Sequence, residues 1–157
     1  MNIGKLRTEL KNYFLNGSAV NDIMSSLRKG SAIRISSPHI VDLTMKKIGR
    51  NRYIVEDSQG EDVDVFVKVP LDFINQLLEK SIEKPDELLQ FIVKYYFDSQ
   101  TNSNISVKFN SGLLKLTAKG YFKLLSIGGP ALRQFLRGEG MGSLSSIKKT
   151  ISNIANK

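Results

Sequence analysis

Residues 62–69 carry the clearest periodic signal in this chain of 157 residues. Valine stands at positions 63, 65, 67 and 69, and the positions between them hold Asp62, Asp64, Phe66 and Lys68. A period of two is that of a β-strand with one buried face. Pro70 ends this strand, and the apolar period then becomes helical over residues 71–80. A strand that leads directly into an amphipathic helix indicates a sheet packed against helices.

The same two periods recur along most of the chain. They predict helices over 3–15, 18–29, 71–80, 85–97 and 131–136, and strands over 32–35, 41–46, 53–55 and 62–69. A hairpin is predicted from strands over 105–109 and 114–118, joined by the turn Asn110-Ser111-Gly112. We expect a single α+β domain over 1–137, with a mostly antiparallel sheet of about five strands covered by helices on one face. Residues 138–157 are predicted to form a glycine-rich hinge and a basic amphipathic C-terminal helix.

Composition excludes several classes of site. The chain has no cysteine, which excludes disulfides, thiolate zinc sites, iron–sulfur clusters and a cysteine nucleophile. His39 is the one histidine, and no Gly-x-Ser-x-Gly motif or phosphate-binding loop accompanies it. We therefore predict no catalytic residue, no metal site and no cofactor. The sequence contains no apolar run long enough to span a membrane and no signal-peptide pattern, so a soluble, cytoplasmic protein is expected.

The net charge of +8 is unevenly distributed. Residues 1–55 carry +7, residues 56–98 carry −7 and residues 99–157 carry +8. If the two basic ends meet in space, their surface suits an anionic membrane, a nucleic acid or an acidic protein. The candidate contact residues are Lys115, Lys119, Lys123, Lys148 and Lys149. One alternative function is therefore nucleic-acid binding or assembly through these cationic segments.

The acidic loop over 56–64 gives a second alternative. Asp62 and Asp64 share a predicted strand face with Lys68, which is one arrangement of a metal-dependent hydrolase or nuclease. The loop lacks the ligand spacing of an EF-hand, and a solvated connection between strands is the simpler explanation of its composition.

The predicted helix over 85–97 is apolar around most of its circumference. Such a helix must be covered on more than one side, by the sheet, by a ligand or by another chain. A homo-oligomer therefore also remains open.

Two segments resemble the sterol-carrier-protein type of lipid-binding domain. Residues 62–80 run a strand directly into a helix with an Asp72-Phe73 pair and spaced leucines, as that family does. Residues 112–125, which begin Gly-Leu-Leu-Lys-Leu, are similar to the family's Gly-Lys-Leu-Lys-Ile strand and the apolar helix after it. The resemblance implies a five-stranded sheet covered by helices, with an apolar cavity between the two layers.

Our leading hypothesis is non-enzymatic binding of a lipid or sterol-like molecule in that cavity. The candidate lining residues are Phe73, Ile74, Leu77, Phe91, Ile92, Tyr95 and Leu124. The same residues could instead form an ordinary hydrophobic core.

Overall fold

The computed structural model describes residues 2–98, 105–138 and 149 of the chain. Five strands lie within these residues: β1 (Ala32–Ser37), β2 (Val41–Gly49), β3 (Arg52–Asp57), β4 (Val65–Lys68) and β5 (Ser106–Phe109). The α-helices are α1 (Ile3–Asn16), α2 (Ser18–Ser25), α3 (Leu71–Lys80), α4 (Pro85–Asp98), α5 (Leu113–Ala118), α6 (Leu124–Ile127) and α7 (Gly129–Gly138). A 3₁₀ turn at Tyr121–Lys123 precedes α6.

The strands form one open sheet in the order β3-β2-β1-β4-β5. All neighbouring pairs are antiparallel except β1 and β4, which run parallel with Ile33 opposite Val65. The parallel pair arises because the loop after β3 crosses the sheet before β4 begins on the far side of β1. The prediction of an α+β domain with a mostly antiparallel five-stranded sheet is confirmed.

The two faces of the sheet differ in polarity. The strand register places apolar side chains of neighbouring strands side by side on one face, where they join the core with α1, α2 and α3: Ile33, Ile35, Val41, Leu43, Met45, Val55, Val67. The other face carries Arg34. Its guanidinium carbon Cζ lies 4.4 Å from the ring centre of Phe66, and its Nη2 forms an ion pair with Asp42 Oδ2 at 2.6 Å. The apolar face of the sheet is therefore the face that packs against these helices.

The predicted strand over 114–118 is wrong, because Leu113–Ala118 forms the helix α5. The alternation of Leu114 with Leu116 is typical of a strand, yet Leu116 is 1% exposed and Leu114 is 89% exposed. Two hydrogen bonds between residues four apart stabilise the helical turn: Leu116 N donates to Gly112 O, and Thr117 Oγ1 donates to Leu113 O. The segment that resembles a strand of the sterol-carrier family is therefore helical here.

Other boundaries differ less. The strand predicted over 62–69 is shorter, at Val65–Lys68, and the helix predicted to extend to residue 29 ends at Ser25. Apart from Lys149, the predicted C-terminal helix and nearly all of the hinge lie outside the described residues, so the proposed division at residue 138 stays a prediction.

Gly120 has a left-handed backbone conformation, which costs free energy for any residue with a Cβ atom. Its φ is +91°, and a Cβ atom at this position would lie 2.8 Å from the carbonyl oxygen of Ser26. Gly120→Ala is expected to lower the free energy of unfolding by about 1–3 kcal/mol, measured by urea denaturation. Gly60→Ala is the matched control, because Gly60 has φ +79° but no atom within 4 Å of its Cβ position. Equal losses in the two variants would contradict the role of the Ser26 contact.

Candidate ligand-binding site

An aromatic cluster joins α3 to α4. The ring centre of Phe73 lies 5.2 Å from that of Phe91 and 5.1 Å from that of Tyr95, in tilted and edge-to-face arrangements. Tyr95 also donates its hydroxyl to Asp72 Oδ2 at 3.2 Å, and burial together with this carboxylate raises the pKa of Tyr95. The cluster packs the two helices against each other through three rings, of which only Tyr95 has a polar group, and that hydroxyl is hydrogen-bonded.

The seven residues predicted to line a cavity belong to one connected apolar core. Phe73, Ile74 and Leu77 of α3 are buried, at 4%, 1% and 1% exposed. The other four are half-buried and pack against that core: Phe91, Ile92, Tyr95, Leu124. The structure thus brings all seven together, and their contact with a ligand stays a prediction.

Helix α4 is incompletely covered although it has neighbours on several sides. Of its 14 residues, Leu88 is fully buried, and its other large apolar side chains are half-buried: Leu89, Phe91, Ile92, Val93, Tyr95, Tyr96, Phe97. It packs against α2, α6 and α7, and Gln90 Nε2 donates to Gly128 O at 3.0 Å. Apolar surface of α4 therefore stays partly accessible although three helices contact it.

A lysine lies on the apolar face of the sheet, and the sequence analysis missed it. Lys47 is 3% exposed, and its Nζ donates to the carbonyl oxygen of Met24 at the C-terminal end of α2, at 2.7 Å. Burial lowers the pKa of Lys47. Position 47 shares the alternation of Val41, Leu43 and Met45, so the strand period itself could have indicated an inward lysine.

Asp64 is the centre of a buried polar cluster, which we call the Asp64 cluster. It accepts hydrogen bonds from Ala32 N at 3.0 Å, Ser111 Oγ at 2.6 Å, Lys119 Nζ at 2.8 Å and Tyr121 Oη at 2.9 Å. Burial alone would raise the pKa of Asp64, but these hydrogen bonds outweigh it and hold the pKa below its usual value. The cluster ties the segment that contains α5 and the 3₁₀ turn to the start of β1.

This arrangement bears on the metal-dependent alternative. Both carboxylate oxygens of Asp64 are occupied by protein donors, whereas Asp62 is exposed. Among the residues that the structure describes, no three or more histidine or acidic side chains are grouped as metal ligands. The two aspartates do not form an open pair of carboxylates.

The lysines predicted to contact a partner have different environments. Lys119 is held by Asp64 and by the carbonyl oxygen of Gly30, at 3.0 Å. Lys115, Lys123 and Lys149 are exposed, and Lys148 lies outside the described residues. Among the described helices, none is long and apolar enough to cross a membrane.

No family model matches this chain, and no curated protein sequence does. Among solved structures, it is similar to a UbiJ-SCP2 ubiquinone synthesis protein, with a TM-score of 0.41 and 12% identity over 80% of this chain and 94% of that one. It is also similar to sterol carrier protein domain 2 of Helicoverpa armigera, with a TM-score of 0.39 and 13% identity over 81% and 88% of the two chains. A possible sterol carrier protein of Thermus thermophilus gives a TM-score of 0.36 and 14% identity over 80% and 84%. These are structures of the type that the sequence resembles, and likeness of this degree carries no ligand over to this chain.

Proposed function

We propose that this protein binds an apolar small molecule between its sheet and helices α3 and α4, as a carrier and not as an enzyme. The observation that carries the proposal is the incomplete burial of α4, whose large apolar side chains are mostly half-buried although helices pack on several of its sides. Apolar area that stays in contact with water is a source of binding free energy, about 25 cal/mol for each Å² that a ligand covers.

A small molecule fits this surface better than a second protein does. Protein interfaces are broad, of about 800 Å² on each partner, whereas α4 already packs against α2, α6 and α7, which reduces the area left for a second protein. Ligand sites in proteins are typically narrow, largely apolar and lined by aromatic rings, as Phe91 and Tyr95 would line this one. The sequence resemblance to lipid-binding domains implies the same class of ligand.

The proposal is tested by melting delipidated protein with and without palmitic acid or cholesterol. A ligand that binds only the folded chain stabilises it by about 2.7 kcal/mol at about 100 times Kd, which corresponds to a rise in Tm of roughly 5–10 °C for a chain of this length. An unchanged Tm with both ligands would contradict apolar ligand binding.

Ile92→Ser is expected to weaken that binding about tenfold, because it replaces a half-buried apolar side chain of the site with a polar one. Titration of the ligand into each variant measures the loss. Lys94→Ser on the same helix is the matched control, since Lys94 is exposed. Equal weakening in both variants would point to the helix as a whole and not to the apolar surface.

Salt dependence separates this function from binding to nucleic acid. Binding to phosphates weakens steeply between low and moderate ionic strength, because condensed counterions are released. Binding to a desolvated apolar site changes little over the same range. A steep loss of affinity for single-stranded DNA with salt, together with no response to palmitic acid or cholesterol, would support the cationic alternative instead.

A further inference from the structure

A cavity of about 340 Å³ lies at the end of the sheet where β1 turns into β2. Its walls come from α1, from the turn between β1 and β2, and from the end of β3. Ligand sites for small molecules have volumes of about 300–1,000 Å³. None of the residues that line this cavity belongs to α3 or α4, so it is a different place from the proposed apolar site.

The buried part of the cavity wall is polar. Ser37, the last residue of β1, is 2% exposed and lines the cavity. Its carbonyl oxygen accepts a hydrogen bond from Ile40 N at 3.0 Å, but its hydroxyl has no hydrogen-bond partner among the described residues. Most buried hydroxyl groups in proteins have such a partner. The Ser37 hydroxyl therefore has capacity to bond a group that enters the cavity.

The turn at the rim of the cavity has a strained residue. The hydrogen bond from Ile40 N to Ser37 O closes a four-residue turn with Pro38 and His39 at its centre. His39 has φ +63°, a left-handed conformation that glycine or asparagine usually adopts in such turns. Strained residues cluster at ligand sites, where the surrounding structure holds them in place. The imidazole of His39 lines the cavity and can donate or accept a hydrogen bond there.

Two opposite charges line the cavity and do not pair with each other. Arg7 of α1 donates through Nε to the carbonyl oxygen of Ile40, and its terminal nitrogens have no acceptor among the described residues. Asp57 at the end of β3 is exposed, and its carboxylate has no donor in the same part of the chain. Asp42 also lines the cavity, but Arg34 donates to both of its carboxylate oxygens, at 2.8 and 2.6 Å. The cavity therefore offers one guanidinium and one carboxylate to a ligand.

A ligand with a single charge fits this pair of groups poorly. An anion at Arg7 is repelled by Asp57, and a cation at Asp57 is repelled by Arg7, so each gains one attraction and meets one repulsion. A molecule with both charges is attracted at both ends. The charges of the cavity are thus complementary to those of a zwitterion.

We propose that this cavity binds a small, water-soluble zwitterion of the amino-acid class, with a carboxylate at one end and an ammonium group at the other. Arg7 and the Ser37 hydroxyl donate to the carboxylate of the ligand, and the ammonium group donates to Asp57. This is a second binding function of the chain and does not depend on the apolar site.

The test compares γ-aminobutyrate, butyrate and butylamine, which have the same carbon chain and carry both charges, the negative charge alone and the positive charge alone. Each is titrated into the isotope-labelled wild-type chain, and the amide signals are followed by NMR. We expect γ-aminobutyrate to shift the signals of Ser37, Ile40 and Ser58 saturably. Its affinity is expected to be about three- to fivefold higher than that of either single-charge molecule, because a pair of exposed charges contributes about that much.

Arg7→Gln and Asp57→Asn are each expected to remove this preference, because each leaves one charge of the ligand without its partner. Arg52→Gln and Asp62→Asn are the matched controls and keep it, since both residues are exposed and neither lines the cavity. Amide signals far from the cavity check the fold of every variant. Should Arg7→Gln alter the turn, Asp57→Asn alone decides the test, because the Asp57 carboxylate has no partner in the described part of the chain.

Three outcomes would overturn the zwitterion site. One is equal affinity of the wild-type chain for all three molecules. Another is a preference for γ-aminobutyrate that survives Asp57→Asn. The last is no saturable shift at the cavity with γ-aminobutyrate or with glycine, in which the two charges are closer together. None of these results bears on palmitic acid or cholesterol, so apolar ligand binding stands or falls separately.

Discussion

Asp64→Ala is expected to lower the free energy of unfolding by about 3–5 kcal/mol. The substitution removes the acceptor of donors from three other parts of the fold: Ala32 on β1, Ser111 after β5, and Lys119 and Tyr121 beyond α5. It leaves Lys119, whose side chain is 20% exposed, without its counter-ion. Urea denaturation followed by circular dichroism measures the loss.

Asp62→Ala is the matched control, because Asp62 stands two residues away and is exposed. It is expected to change stability by less than about 0.5 kcal/mol. A double-mutant cycle with Lys119→Met isolates the ion pair, and the two substitutions should be far from additive because the residues are in direct contact. A loss below about 1 kcal/mol for Asp64→Ala would contradict the anchoring role of the cluster.

The Asp64 cluster also predicts how the free energy of unfolding changes at low pH. Because the pKa of Asp64 is lowered in the folded chain, the unfolded chain binds more protons over the range between the two pKa values. The stability that the carboxylate contributes is fully present above its unfolded pKa of about 3.9 and is lost as the pH falls through the folded value. The difference in stability between wild type and Asp64→Ala should therefore narrow below about pH 4 and stay constant near neutrality.

Phe73→Ala is expected to lower the free energy of unfolding by about 3–5 kcal/mol. The Phe73 side chain is 4% exposed and contacts the rings of both Phe91 and Tyr95, so its removal leaves a cavity and breaks both aromatic contacts. Thermal or urea unfolding measures the change. Leu114→Ala, at a residue that is 89% exposed, is expected to change stability by less than about 0.5 kcal/mol.

A small effect of Phe73→Ala would be informative in its own right. The cost of such a substitution grows with the volume of the empty space that remains. A loss of less than about 1 kcal/mol would mean that the junction of α3 and α4 is loosely packed, which contradicts its description as a part of the core.

The sheet and its long helices could be predicted from local periodicity. The alternation of apolar and polar residues at 41–46 and 62–69 predicted which faces of β2 and β4 are apolar. The helical spacing of apolar residues over 85–97 predicted α4. Helix α5 could not be predicted this way, because Leu114 and Leu116 have the spacing of a strand and only tertiary packing buries one and exposes the other. Local pattern therefore identified the elements that bury a regular face and failed where burial is irregular.

The polar parts of the interior depend on contacts that are distant in sequence. Asp64 is buried because Ser111, Lys119 and Tyr121 meet it, and each is far away along the chain, as their separations of 47, 55 and 57 residues show. No local pattern of charge indicates such a meeting. Lys47 is different, since its inward direction follows from the strand period, and only its hydrogen bond to Met24 O required the structure.

Native mass spectrometry of the protein as purified, before any delipidation, tests apolar ligand binding most directly. We expect a monomer that carries one additional molecule of lipid or sterol size, which organic extraction removes and added palmitic acid or cholesterol restores. A monomer at the bare mass of the chain, unchanged after incubation with palmitic acid or cholesterol, would contradict apolar ligand binding. So would a dimer without a bound small molecule, because a second copy would then cover the apolar side chains of α4.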